Sequence, residues 1–266
     1  MYLDATPAAP TFNPSQRRLN LFGAFADIDY DLKSDALTFS GGIKGQFNDF
    51  SGWDPSPNVR LMWTPEQTWS VWAADSQGIA MPTVVQHDVT VFQAAPAPGA
   101  TINPNTGLNS EKPRAYEVGL RVQPSQGVSF DIATFYNDYD DLTSTEVIGM
   151  VAPVPLRYAN LREGEAYGIE LSGVWNIRDD WRLSGTYTAQ KIDLHNQPGG
   201  TDTSTAAAEA SSPQQQFRLS SAWNLTPKIE FDAALRFVDR IKTTGGKVDQ
   251  YTALDLRLSW QARKNL

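Results

Sequence analysis

The chain has 266 residues, of which 41% are hydrophobic and 20% charged, and this balance predicts a folded domain rather than a disordered segment. The formal net charge of −8 argues against a nucleic-acid-binding surface, because such a surface needs clustered Lys and Arg. The sequence contains no cysteine, which excludes thiolate metal sites and disulfides, and no apolar run of about 18 residues, which excludes a membrane-spanning helix.

Apolar and polar residues alternate along most of the chain, and this period of two residues predicts β-strands. Eleven segments show the pattern, and in chain order they cover residues 17–31, 36–47, 56–64, 68–76, 113–123, 127–140, 165–176, 180–193, 215–225, 228–240 and 249–262. Only the Ala-rich stretch from Thr205 to Ala210 suggests a helix, and it is too short to be stable alone.

The connections between these strands form a short class and a long class, which alternate strictly along the chain. The short connections are residues 33–35, 65–67, 124–126, 177–179 and 226–227, and the long ones are 48–55, 77–112, 141–164, 194–214 and 241–248. The strand pattern resumes after each long loop, so we expect one domain over residues 1–266. The predicted fold is all-β, an antiparallel up-and-down meander of about eleven strands with nearest-neighbour pairing throughout.

Strand length and loop asymmetry favour a membrane β-barrel over a soluble sandwich, which would also alternate apolar and polar positions. Many predicted strands contain 10–14 residues, whereas soluble strands average about 5–6 and a tilted membrane strand needs about 9–11. Short turns at one end of the sheet and long loops at the other are typical of outer-membrane barrels. We therefore expect a transmembrane barrel in the bacterial outer membrane. Since eleven is an odd number and single-chain bacterial barrels have an even number of strands, we expect this barrel to be partial and open.

The two faces of the predicted sheet carry different residues. Six tryptophans share the parity of the apolar face, most of them beside short turns, and we expect them to form an aromatic girdle at the membrane interface. They are Trp63, Trp69, Trp175, Trp181, Trp223 and Trp260. Charged residues of the opposite parity predict a face that lines a wet lumen or contacts a plug. They are Lys44, Arg60, Glu117, Arg121, Asp131, Glu170, Arg182, Arg218, Arg236 and Arg257.

No pattern of catalytic or metal-binding residues is present, so we expect no enzyme activity, no cofactor and no metal site. The glycine-rich stretch from Gly41 to Gly45 lies within a predicted strand and lacks the following helix of a phosphate-binding loop. Both histidines, His87 and His195, fall in long loops, where we expect them to be solvated. The acidic run from Asp138 to Asp141 lacks the glycine and the spaced glutamate of a calcium loop.

Four stretches resemble the C-terminal half of the β-barrel of a TonB-dependent outer-membrane receptor. They are Pro57-x-x-Arg60-Leu61, then Tyr116-Glu117-Val118-Gly119, then Phe135-Tyr136-x-x-Tyr139-x-Asp141-Leu142, and finally Tyr167-Gly168-Ile169-Glu170 after Asn160. They occur in the order of that family. One departure lies between Ser76 and Pro82, where the family often has two arginines and this chain has none.

The resemblance implies energised uptake of a scarce nutrient, such as a ferric siderophore or another iron complex. It implies outer-membrane lipid, a plug domain, the TonB energy-coupling protein and a small ferric chelate as partners, with no nucleic acid. The plug, the TonB-contacting box and the final strands are not recognised in this sequence, so we expect a truncated part of a transporter. Arg114, Arg157 and His195 are candidates for contacts with an anionic ligand in the external loops.

Two other hypotheses remain open from the sequence. A passive, porin-like outer-membrane channel needs no plug. A soluble β-rich ligand-binding module, or a carbohydrate-acting enzyme, would use the aromatic residues as sugar platforms. A plug upstream of Met1 would favour the transporter, and solubility without detergent would favour the soluble protein.

Overall fold

The structure is a computed structural model that describes residues 10–33, 36–93, 99–243 and 246–262. Strand accounts for 72% of these described residues and helix for 4%. The strands are β1 Thr11–Phe12, β2 Leu21–Lys33, β3 Leu37–Asn48, β4 Gly52–Glu66, β5 Trp69–Gln77, β6 Val89–Gln93, β7 Ala100–Asn103, β8 Lys112–Ser125, β9 Val128–Val147, β10 Val154–Arg178, β11 Trp181–Asn196, β12 Gln215–Thr226, β13 Ile229–Val238, β14 Ile241–Thr243, β15 Gly246–Val248 and β16 Tyr251–Trp260. The helices are α1 Val84–Asp88 and α2 Thr205–Glu209.

Eleven long strands form one antiparallel meander, which confirms the predicted fold class. Their order in the sheet is β2-β3-β4-β5-β8-β9-β10-β11-β12-β13-β16, and each pairs with the next. The sheet is open, because β2 and β16 are its two edges and do not pair with each other in the described part of the chain. Within that part, no helix is long and apolar enough to cross a membrane.

A register shift accompanies every short turn of the meander. The shifts lie between Asp31 and Lys33, Trp63 and Glu66, Val122 and Ser125, Asn176 and Arg178, and Asn224 and Thr226. β-Bulges increase the local twist and are frequent at the rims of barrels. The short-turn end of the sheet is therefore a rim at which every hairpin carries one extra residue on its first strand.

Some predicted bounds were wrong where strands continue beyond the alternating pattern. β9 has 20 residues and β10 has 25, so most of the predicted loop 141–164 is strand. Register shifts occur between Ala159 and Gly164, where the pairing of β9 with β10 is irregular. Since a bulge interrupts the two-residue period, the sequence pattern did not reveal this part of either strand.

The prediction of nearest-neighbour antiparallel pairing throughout was wrong for the outer loops. The segment between β5 and β8 contains α1, β6 and β7, and β6 pairs with β1 as well as with β7. β7 pairs in parallel with the start of β10, from Ala100 opposite Val154 to Asn103 opposite Arg157. These pairings join segments far apart in sequence, and short runs of 2–5 residues carry too little alternation to predict them.

The buried side chains lie mainly among these outer loops rather than along the meander. Val89, Ile102 and Leu108 form the apolar part, and Ala166 is the remaining buried apolar residue among those described. Both faces of the long strands are open, and the strands β2 and β16 are exposed along nearly their whole length. The molecule therefore consists of an open β-sheet whose two faces are uncovered, with packed loops at one end.

Candidate functional site: a two-faced sheet with packed outer loops

The register of the meander places all six tryptophans of the predicted girdle on one face, which we call the apolar face. Directly paired residues on antiparallel strands project to the same side, as do residues two apart on one strand. Trp181 pairs with Trp223, and their rings stack at 5.2 Å. Trp63 pairs with Val71, two residues from Trp69, and the Trp63 and Trp69 rings meet edge to face at 5.3 Å. Trp175 pairs with Leu183, which is two residues from Trp181. Trp260 pairs with Ile229, which is two residues from Phe231, the partner of Trp223.

The ten charged residues predicted to line a lumen share the other face, which we call the charged face. Arg121 pairs with Asp131 across β8 and β9, with a 2.6 Å ion pair. Arg218 pairs with Arg236 across β12 and β13. The remaining members are connected by the same register, and they are Lys44, Arg60, Glu117, Glu170, Arg182 and Arg257. Which face meets lipid belongs to the proposal below.

A second aromatic row crosses the apolar face near the long loops, and the sequence reasoning missed it. The row consists of three groups, and within each group the residues pair directly across adjacent strands. The groups are Phe22, Phe47 and Trp53, then Tyr116, Tyr136 and Tyr167, and finally Tyr187, Phe217 and Phe237. Trp53 and Trp63 stand ten residues apart on β4, which is roughly 33 Å along the strand, or about 25 Å in height at a tilt of about 40°. That height on β4 equals the apolar band of an outer-membrane barrel, whereas Tyr187 stands only six residues from Trp181 on β11, or about 15 Å in height at the same tilt, so the row does not lie at one height.

The charged face also holds a tryptophan that the sequence analysis did not single out. The ring of Trp72 lies against Gly119 on the adjacent strand, so that a Cβ at Gly119 would come within 2.4 Å of it. The guanidinium carbon of Arg60 lies 4.9 Å from the Trp72 ring centre, a cation–π distance. The charged face therefore also contains an aromatic ring that packs against a cation, which the sequence pattern did not predict.

Asp88 in α1 is the centre of one buried polar group among the outer loops. Its carboxylate accepts hydrogen bonds from Arg17 and contacts His87 Nδ1 at 2.7 Å. The expectation that His87 is solvated was wrong, because His87 is only 6% exposed and its ring packs 4.4 Å from that of Phe50. Burial raises the pKa of Asp88, but hydrogen bonds and charge from Arg17 and His87 outweigh this and leave the pKa below its ordinary value.

Asp202 is the centre of a second buried group, which holds the loop after β11 against β9 and β10. Its carboxylate accepts hydrogen bonds from Arg162 at 2.6 Å and from the Thr145 backbone N–H at 2.8 Å. Burial raises the pKa of Asp202, while hydrogen bonds from Ser204 and Thr145 and the charge of Arg162 leave it lowered. Charge-assisted contacts of this kind fix loops in place.

Asp54 is the centre of a third group, between the β3–β4 loop and the start of β8. It accepts hydrogen bonds from Ser110 at 2.6 Å and Ser51 at 2.8 Å, and Lys112 lies 3.6 Å away. The three groups account for most of the buried polar residues. Sequence patterns did not predict them, because each joins residues from distant segments.

The three candidate ligand contacts are not brought together. Arg114 is paired with Asp75 at 2.6 Å and shares the apolar face with Tyr116. His195 lies at the end of β11, where it contacts Glu163 at 3.0 Å. Arg114 lies three strands away on β8, which is a total of roughly 14 Å across the sheet. Arg157 is exposed on the extension of β10 beside β7. No group of three metal-ligating residues occurs in the described part of the chain.

A protein-family comparison identifies the architecture. The family model described as TonB dependent receptor-like, beta-barrel matches residues 2–266. The chain belongs to this TonB-dependent receptor family. Membership confirms the resemblance seen in the four sequence stretches, and it identifies the chain as part of an outer-membrane β-barrel of this family.

Solved structures of TonB-dependent receptors share the fold at low sequence identity. A variant of the ferric enterobactin receptor PfeA from Pseudomonas aeruginosa is 15% identical, with a TM-score of 0.73 over 93% of this chain and 38% of that one. The siderophore receptor PirA from Acinetobacter baumannii is 15% identical, with a TM-score of 0.75 over 92% and 40%. The ferric-catecholate import receptor Fiu from E. coli K12 is 18% identical, with a TM-score of 0.70 over 93% and 39%.

These likenesses show the fold and the extent of the match. The chain spans about 40% of the length of the solved receptors that it resembles. No curated protein sequence matches it significantly. The activity, ligand and partners of the whole transporter are therefore matters for proposal.

Proposed function

We propose that the chain forms about half of the wall of a TonB-dependent transporter that takes up an iron complex across the outer membrane. The observation that carries the proposal is the separation of the sheet into two faces in a chain of this family. Six tryptophans mark the short-turn end of the apolar face, and further aromatic residues stand toward the long loops on the same face. That face meets lipid, and the tryptophans form the periplasmic girdle.

The charged face lines the lumen in this proposal. Its arginines and carboxylates need water or a polar partner, because a charge buried without one is costly. A plug domain in the intact transporter supplies such a partner, and the TonB protein supplies the energy that moves the plug. The packed loops around Asp54, Asp88 and Asp202 form part of a rigid outer vestibule in which an iron chelate is bound.

The iron complex is favoured by the solved relatives, whose names include a ferric enterobactin receptor and a ferric-catecholate import receptor. Arg157 is the candidate ligand contact best placed for this role, since it is exposed on the loop side. Arg114 is already held by Asp75, and its position on the apolar face makes it a poorer candidate.

The test is uptake of radioactive iron by cells that express the intact transporter containing this chain. Ferric enterobactin, a ferric hydroxamate and ferric citrate serve as probes. We expect saturable uptake of at least one of them that disappears in cells lacking TonB, and we expect Arg157→Gln to raise the KM while Lys247→Gln, an exposed control, does not. Uptake of small solutes that is unsaturable and independent of TonB would support a passive channel instead.

A further inference from the structure

A groove crosses the apolar face beside the periplasmic tryptophans. Two glycines, Gly173 on β10 and Gly185 on β11, pair directly and form its floor. Apolar side chains such as Phe130, Leu171 and Leu219 form its walls, and its volume is about 340 Å³. Two paired residues without side chains thus leave a notch in a surface that is otherwise covered by large apolar groups.

The two glycines differ in what surrounds them. A Cβ at Gly173 would come within 2.9 Å of the Phe130 ring, so that ring already covers one side of the floor. A Cβ at Gly185 would meet no atom closer than 3.7 Å, which is ordinary van der Waals contact. Nothing in the backbone therefore requires glycine at position 185, and the space above it is open.

A cation stands at the short-turn end of the groove. The guanidinium carbon of Arg178 lies 6.0 Å from the Trp181 ring centre and 5.6 Å from that of Trp223. Arg178 also contacts Asp180 at 3.1 Å, but both side chains are about half exposed, 55% and 46%, so this ion pair is weak. Arginine has five donors, and those not used by Asp180 are available to a phosphate.

The distance from Arg178 to the far end of the groove suits one leaflet of the membrane. Arg178 pairs with Trp181, and from Trp181 to Tyr187, which lines the far end of the groove, the strand advances six residues, or roughly 20 Å. At a tilt of about 40° this is about 15 Å in height, which is half of a hydrocarbon core of about 30 Å. An acyl chain whose headgroup lies beside Arg178 would end near Tyr187.

We propose that this groove is a binding site for one phospholipid of the periplasmic leaflet, with an acyl chain over Gly185 and the headgroup phosphate on Arg178. The proposal rests on the placement of the apolar face in lipid. A larger groove of about 650 Å³ on the same face, over Ala73, provides a comparison. Asp75 lines that groove, and the nearby Arg114 is held by both of its oxygens toward the long loops, so this groove has no cation free for a headgroup at its short-turn end.

The test uses the full chain reconstituted in phosphatidylcholine bilayers that contain a small fraction of phosphatidylglycerol with a photoreactive acyl chain. After illumination, cross-linked peptides are mapped by mass spectrometry. We expect cross-links concentrated on β10, β11 and β12 around Gly185. Gly185→Leu should lower them by about tenfold, because its side chain fills the notch. Arg178→Gln should lower them about fivefold and Arg178→Lys much less, because lysine keeps the charge.

Matched controls separate this proposal from the membrane placement on which it depends. Ala73→Leu fills the other groove and should leave the cross-links near Gly185 unchanged. If Gly185→Leu does not fold, Gly185→Ala, which fits without a clash, and Arg178→Gln still decide the matter. Labelling spread evenly over the apolar face, or unaffected by these variants, would overturn the lipid site alone. Labelling confined to the charged face would overturn both the site and the proposed orientation.

Discussion

Replacing Asp88 with asparagine tests whether buried polar groups hold the outer loops in place. Asp88 is 1% exposed and accepts hydrogen bonds from Arg17, which is 27% exposed, while contacting buried His87. An asparagine side chain has nearly the same shape but no charge. Since charge-assisted hydrogen bonds contribute about 1.5–3 kcal/mol each, and one acceptor remains, we expect local opening of the loop to become easier by about 3 kcal/mol, or roughly 100-fold.

The assay is hydrogen exchange measured by mass spectrometry on peptides that cover α1 and β6, with the chain in detergent micelles. Asp193→Asn is the control, because Asp193 and Lys191 form an exposed pair at 3.2 Å that contributes little to stability. We expect faster exchange in α1 and β6 for Asp88→Asn alone. Equal exchange in the two variants would refute the idea that Asp88 fixes this loop.

The same carboxylate gives a pH dependence with a defined sign. The pKa of Asp88 is lower in the folded chain than in the unfolded chain, where an ordinary Asp has a value of about 3.9. Its stabilisation is therefore fully present above about pH 4 and is lost as the pH falls through the lower folded value. Loop protection, corrected for the intrinsic exchange rate, should therefore fall below about pH 4, and this fall should be absent in Asp88→Asn.

Three further predictions concern the sheet. Ile132→Arg, on the apolar face, should destabilise the membrane-inserted chain by about 2–4 kcal/mol in urea titrations, whereas Ala133→Arg on the opposite face should have little effect. Gly119→Ala should destabilise by about 1–3 kcal/mol because of the Trp72 ring, and combining it with Trp72→Ala should remove most of that cost in a double-mutant cycle. The isolated chain should show no saturable sub-micromolar quenching of tryptophan fluorescence by ferric siderophores, since its open sheet does not enclose a pocket; saturable quenching would contradict this.

The long strands were predictable from the sequence because their physical cause is local. A strand with lipid on one side and water or polar groups on the other must alternate, and this constraint acts on each strand separately. The sequence alone therefore predicted that Trp181 and Arg182 project to opposite faces of the sheet, without knowledge of the adjacent strands. The register that joins such parities into two continuous faces depends on pairing between strands, and only the structure provides it.

The outer loops were not predictable for the opposite reason. The burial of His87 depends on Arg17, Phe50 and Asp88, which come from different segments, and no sequence period connects them. The parallel pairing of β7 with β10 likewise joins residues about fifty positions apart. Arg114 illustrates a third limit, since its charge suggested a ligand contact but its parity puts it beside Tyr116 on the apolar face.

Single-cysteine scanning along β10 tests the two-faced membrane sheet most directly, because the natural chain contains no cysteine. Variants at Ile169 and Leu171 on the apolar face, and at Glu170 and Ser172 on the charged face, are placed in bilayers and treated with a water-soluble maleimide. We predict strong labelling at 170 and 172 and little at 169 and 171, since lipid shields one face and water reaches the other. Equal labelling at all four positions, or labelling at 169 and 171 alone, would contradict the account.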